Sequence, residues 1–192
     1  VARHGIARFH LRPIGHPAHA GAYHEQGRSA IREMARQVLA IEAMTDYGRT
    51  IVLNVGTIAG GTHENMVPIA CEACVYVLVP TVQAEAEVHG RLLALRPHDP
   101  DVRLEVRRGL FRPPYAKTRA IQALYDHAAA LARDLPFAVA GERVAGGGSD
   151  GNFTGSLGVP TLDGLGVIGA GPHTHQEHLL IPCLVPRATP WV

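Results

Sequence analysis

Over residues 6–14 the chain alternates. Ala7, Phe9 and Leu11 fall on one side of an extended backbone, and Arg8, His10 and Arg12 on the other. A period of two is what a strand with one buried face requires. After a turn-like stretch from Gly15 to Gly27, apolar Ile31, Met34, Ala35, Val38, Leu39 and Ile41 recur at helical spacing and predict an amphipathic helix over 29–44. Two strands follow, 50–58 closed by Gly60-Gly61, and 69–79 stopped by Pro80. A helical period returns over 81–95, through Val82, Ala86, Val88, Leu92 and Leu93, and 102–106 alternates again before Gly109. The order β-α-β-β-α-β is the split βαβ arrangement of a ferredoxin-like sandwich, an α+β (mixed α/β) unit. Two helices cover one face of such a sheet, and the other face or an edge is left to pair with a second copy.

Phe111-Arg112-Pro113-Pro114 marks the domain boundary, because consecutive prolines forbid helix continuation. The expected units are 1–110 and 111–192. Beyond the boundary the pattern predicts a helix over 120–131, a glycine-rich turn over 146–151, a short apolar strand near 159–162 and a second glycine-rich run over 164–171. A terminal helix interrupted by Pro186 and Pro190 cannot run far. These elements hold too few strands to close a core alone.

Hydrophobic residues make up 46% and charged residues 18%, which places the chain among folded globular proteins rather than disordered ones. A net charge of +1 without a basic block argues against nucleic acid as a partner. No apolar run is long enough to span a membrane, and no hydrophobic stretch follows Val1 as a signal peptide would need. Three cysteines are too few for a disulfide scaffold and suit a reducing compartment, so the cytoplasm is the expected location.

Gly171-Pro172-His173-Thr174-His175-Gln176-Glu177-His178 is the densest group of metal-capable side chains. Neutral imidazoles there could bind zinc, while Thr174-x-x-Glu177 also reads as a helix capping box. Gly164-Leu165-Gly166-Val167-Ile168-Gly169 matches a dinucleotide fingerprint but is followed by no helix start, so close backbone packing is the better reading. Cys71 and Cys74 face opposite sides of a strand and cannot share an ion. Asn152-Phe153-Thr154 is a glycosylation sequon by pattern alone. Two loops, Gly15–Gly21 with His16 and His19, and Gly60–Asn65 with His63, carry polar side chains free to face a partner.

His19-Ala20-Gly21 with Gly27-Arg28-Ser29-Ala30 resembles a segment of the di-zinc hydrolase family that contains glutamate carboxypeptidase, acetylornithine deacetylase and succinyl-diaminopimelate desuccinylase. Asn54-Val55-Gly56-Thr57-Ile58 through Asn65-Met66-Val67-Pro68 is similar to a second block. Gly146–Asn152, Pro160–Gly166 and His173-Thr174-x-x-Glu177 look like its C-terminal signatures, all in the family's order and nearest the glutamate carboxypeptidase branch. The resemblance implies a ferredoxin-like dimerisation domain followed by the C-terminal part of an α/β zinc-peptidase catalytic domain. It implies hydrolysis of an amide next to a carboxylate, in a small peptide or N-acyl amino acid, by water held between two zinc ions. His173 then falls where the family's last zinc ligand lies. His19 matches the histidine that reaches the partner subunit's site and stabilises an oxyanion, and Asn65 a residue facing substrate. Arg112 and Gly147-Gly148-Ser149 are the candidates for gripping the substrate carboxylate.

Two departures accompany the match. The family's other zinc ligands and its Glu-Glu pair find no counterpart in these residues, so this chain alone is expected to be inactive. An arginine of the family pattern is replaced by Leu78, which cannot pair with a carboxylate. A non-catalytic dimerisation or ligand-binding module is the alternative reading.

Overall fold

The computed structural model describes residues 1–133, 144–145 and 147–189. Strand β1 (Ala2–Arg3) leads into β2 (Gly5–Ile14), helix α1 (Ala30–Glu42), strands β3 (Val52–Gly60) and β4 (Cys71–Val79), helix α2 (Val82–Leu93) and strand β5 (Arg103–Arg112). The four long strands form one antiparallel sheet in the order β3-β4-β2-β5. This is the ferredoxin-like order, and the fold is α+β as its periodicity predicts. Alternation does the sorting. Ala7, Phe9 and Leu11 of β2 and Ala73, Val75, Val77 and Val79 of β4 enter a single core with Met34 and Ile41 of α1 and Val88 and Leu92 of α2. Burying each large apolar side chain stabilises the fold by about 1.5–3 kcal/mol. Arg8, His10, Arg12 and Glu72 line the opposite, exposed face. Cys71 is buried and Cys74 lies on the other side, as strand alternation demands.

After Pro113-Pro114 come α3 (Arg119–Leu131), β6 (Val144–Ala145), α4 (Gly151–Ser156), the short pair β7 (Gly169–Ala170) and β8 (His178–Leu179), and α5 (Leu184–Ala188). Strand β6 pairs in parallel with β1. The hydroxyls of Ser29, Thr81 and Thr118 each accept a backbone N–H in the first turn of α1, α2 and α3, which fixes where those helices start. Among the described residues no helix is long and apolar enough to cross a membrane.

The structure differs from the pattern in four places. Strand β5 runs through Gly109 to Arg112 rather than stopping at the glycine, held by pairing with β2. Residues 159–162 are not a strand; their backbone has no ladder partner. No helix follows Thr174, so there is no capping box: its hydroxyl accepts from Gln176 N–H within a turn. Most informative is α1, where Ile31 and Leu39 are exposed while Glu33 and Gln37 are buried.

Glu33 is 1% exposed, and its burial is tolerated because donors converge on it. Its Oε1 accepts from Gln37 Nε2 at 2.8 Å and from His98 N at 3.0 Å, and its Oε2 from Asp99 N at 3.3 Å. The carboxylate of α1 thereby anchors the loop between α2 and β5. Burial pushes the Glu33 carboxyl up, but bonds from Gln37, His98 and Asp99 outweigh it and hold the group below the ordinary glutamate range. A depressed folded value means the stabilisation is present above the unfolded pKa and lost as pH falls through the folded one. Glu33→Ala is expected to lower stability by about 1–3 kcal/mol at neutral pH, and less in acid. Denaturant titrations across pH check this; a deficit that grows toward acid would contradict it.

Candidate functional site

Strand β2 carries a group of interest at each end. Beyond Ile14 the chain turns into the His19 loop, held along its length by backbone bonds. His16 pairs with Arg28 in both directions at 3.0 and 2.9 Å, Val67 N donates to Ala18 O at 2.8 Å, and Ala20 N donates to Asn65 O at 2.8 Å. His19 and Asn65 therefore sit on two extended segments bridged to each other. Gly21 N donates to His19 Nδ1 at 3.2 Å. That bond makes Nδ1 an acceptor, so the neutral ring carries its proton on Nε2, ready to donate outward. Gly15 begins the loop because a Cβ there would stand 1.9 Å from Arg28 O, a contact only glycine avoids.

At the other end of β2, Arg112 pairs across to Ile6. Its guanidinium Nη2 donates to Asp150 Oδ1 at 3.2 Å and lies 5.7 Å from the Phe153 ring centre. Gly148 packs against the same arginine: a Cβ on it would meet Arg112 Cδ at 3.2 Å and Ile6 Cδ1 at 2.6 Å. The structure thus brings Arg112 and Gly147-Gly148-Ser149 together.

Ser149, however, is occupied within the turn. Its N–H donates to Asn152 Oδ1 at 2.9 Å and its hydroxyl to Asp163. Asp163 also accepts from the Arg3 side chain and from Gly164 N–H. Burial raises the Asp163 carboxyl, but the Ser149 hydroxyl and Arg3 overcome it and hold the group below the usual aspartate range. Asn152 is fully buried, and its Nδ2 donates to His4 O at 3.0 Å and Pro113 O at 2.8 Å. Its amide is committed, so the sequon is not an acceptor. Asn152 and Asp163 lie within quoted signatures, but their structural roles, and that of Arg3, were not indicated by those motifs. Arg3 and Asp163 are 160 positions apart, and no local spacing links them.

His173 stands elsewhere, in an exposed turn with φ 65, the left-handed region that costs a side chain about 1–2 kcal/mol. Its N–H donates to Glu177 Oε2 at 3.4 Å. Glu177 and His178 border a cleft of about 520 Å³ lined also by Pro172, Val167 and Leu179, and His173 is not in that lining. Among the described residues no three His, Cys, Asp or Glu side chains converge as a metal would need. Zinc takes three or four protein ligands. The described residues do not form its site. Leu78 is half-buried in β4, registered between Ile6 and Val52.

A ferredoxin-like sheet with an open edge and a paired histidine loop at its far end has a known counterpart. The family model described as the peptidase dimerisation domain matches residues 1–98, and the chain belongs to that family. Across 187 residues it is 25% identical to carboxypeptidase G2 from a Pseudomonas strain, covering 95% of this chain and 45% of that protein. Among solved structures it is similar to aminopeptidase PepT from Bacillus cereus (TM-score 0.72, 22% identity), covering all of this chain and 51% of that one. A tripeptidase from Staphylococcus aureus gives a TM-score of 0.70 at 23% identity, with 100% and 51% covered. The chain spans about half the length of the relatives it matches.

Gly15→Ala is expected to break the His16–Arg28 pairing and cost about 1–3 kcal/mol through overpacking. Thermal unfolding and hydrogen exchange at the His16 amide report both effects. A stable variant with a protected His16 amide would refute the account.

Proposed function

We propose that this chain supplies the dimerisation lid and the carboxylate-gripping wall of a zinc-dependent hydrolase of carboxypeptidase or aminoacylase type. Such an enzyme cleaves the amide bond beside a carboxylate in a small peptide or N-acyl amino acid. Residues 1–110 would form the lid and 111–192 a part of the catalytic domain, in a cytoplasmic homodimer. Zinc is the cofactor the family resemblance implies, with His173 as one ligand and the others supplied from outside this chain.

The observation that carries the reading is Arg112. Its counter-ion, Asp150, is 89% exposed at the side chain. An ion pair that exposed contributes little, so an incoming carboxylate can displace it and take the guanidinium fork. Peptide groups of Gly147 and Gly148 would add to the grip, while Ser149 shapes the turn. Names among the similar proteins agree in kind, including a carboxypeptidase and an aminobenzoyl-glutamate utilization protein.

His19 supports the second half of the proposal. With Nδ1 accepting from Gly21 N–H, its Nε2–H would be the donor to a developing oxyanion. Ile6 and Ile14 are separated by about 26 Å of strand, with Arg112 at the first and the His19 loop leaving from the second. A histidine there suits a neighbouring subunit's site better than its own. Strand β3 is an edge of the sheet. Ile58 on it is 55% exposed, and Ile31 and Leu39 on α1 are 39% and 74% exposed. Together they offer an apolar surface and unpaired backbone to a second copy. Leu78, apolar where the family pattern has arginine, favours the alternative of a non-catalytic module.

In the complete gene product, Arg112→Met is expected to raise KM for an N-acyl amino acid about 10–100-fold, the loss of one charge-assisted pair. The 192-residue chain with added zinc is expected to turn over none. An unchanged KM, or zinc-dependent turnover by the chain alone, would sink the proposal. A Leu39→Asp, Ile58→Asp variant is expected to sediment as a monomer where the parent is a dimer; a parent that is itself monomeric removes the lid reading.

A further inference from the structure

The His19 loop is gripped from a direction that no motif indicated. Arg28, which closes the loop by pairing its backbone with His16, sends its side chain into a third segment. Nε donates to Asp101 Oδ2 at 3.0 Å, and the Asp99 carboxylate lies at 3.7 Å. Nη1 donates to the carbonyls of Glu25 at 3.1 Å and Gly27 at 3.0 Å. A single guanidinium thus joins the carbonyls of the loop's descending arm to two carboxylates beyond α2. The segment that carries them is held in turn: Glu33 accepts the backbone N–H groups of His98 and Asp99, and Asp99 Oδ1 accepts from Asp101 N at 3.0 Å. The clamp has a floor as well: a Cβ on Gly27 would stand 2.7–2.8 Å from Val67, the residue bonded to Ala18. The same segments line a cleft of about 480 Å³ with Arg32 and Arg36.

We propose that Arg28 is the positioning residue for His19, holding the loop at a fixed reach from the sheet. The inference rests on the reading of His19 as an oxyanion donor. Arg28 touches neither substrate nor reacting atoms; it acts by restricting the conformations the loop can adopt. Arginine suits this role because its planar fork carries the donors on separate nitrogens, Nε toward Asp101 and Nη1 toward the two carbonyls, whereas a lysine offers all its donors from one point. The Arg28–Asp101 pair is partly exposed, so much of the hold comes from the carbonyl bonds. Asp101→Asn should then loosen the loop less than Arg28→Met.

The test reads loop order and turnover separately. In Arg28→Met, hydrogen exchange at the Ala20 and Val67 amides is expected to accelerate about tenfold while Phe9 and Val75 in the sheet stay protected. Asp101→Asn should give a smaller acceleration, and the double variant no more than Arg28→Met alone. In the complete gene product, Arg28→Met should lower kcat about tenfold with KM within twofold, because the transition state rather than the ground state loses its donor. Unchanged exchange at Ala20 and Val67 overturns the clamp. A loosened loop with unchanged kcat, where His19→Ala does lower kcat, overturns the positioning role. If His19→Ala itself leaves kcat unchanged, the oxyanion reading of His19 fails and the positioning role falls with it, while the exchange data still decide whether Arg28 holds the loop.

Discussion

The pairing of β2 with both β4 and β5 is the constraint on which everything else hangs. A central strand has no free edge, so its register is fixed from two sides, and a slip of one residue would turn Phe9 and Leu11 out to solvent. That fixed register carries the two groups of functional interest. At its start, Arg3 and His4 hold the glycine-rich turn through Asp163 and Asn152, which sets Gly148 against Arg112. At its finish, Gly15 launches the loop that bears His19. The strand is a ruler as well as a core element, and its length keeps the arginine and the histidine apart.

Much of this was legible in the residues. Alternation at Ala7, Phe9 and Leu11 gave the inward face of β2 because each pair of neighbours differs sharply in polarity. Of the Gly147-Gly148-Ser149 turn and Arg112, candidates for one role, Gly148 packs against the arginine. What the sequence concealed shares one physical feature: a polar group whose partners are distant. Glu33 is a charged residue on α1, and it is buried because residues 98–99 turn their N–H groups toward it. Asp163 lies 14 positions from Ser149 and 160 from Arg3, so neither partner is visible in a local window. Periodicity reports where side chains point and says nothing of what meets them.

Helix α1 is instructive for the same reason. Ile31 and Leu39 share helical spacing with Met34 and Ile41, yet they are exposed. The helix has two apolar directions, one inward through Met34 and Ile41 and one outward. A period cannot tell which apolar stripe belongs to the chain's own core and which to another molecule. Exposure can, and it places the second stripe on the same unit as the open edge β3.

Polar burial and apolar exposure then become two halves of one argument. A chain that buries Glu33 and half-buries Asp163 must supply several donors to each, and it does so by tying together segments remote in sequence. That wiring ties the loop beyond α2, the His19 loop and the glycine-rich turn to the sheet and its helices. Tied loops are what a site assembled across a subunit boundary requires, because a side chain presented to another molecule cannot be adjusted by its own core. In the proposed dimer, the outward face of α1 and the edge of β3 would set where the second copy sits, and Glu33 and Arg28 would set how far His19 reaches toward it. Were these loops free, apolar association alone would bring two copies together without bringing any donor to a defined place.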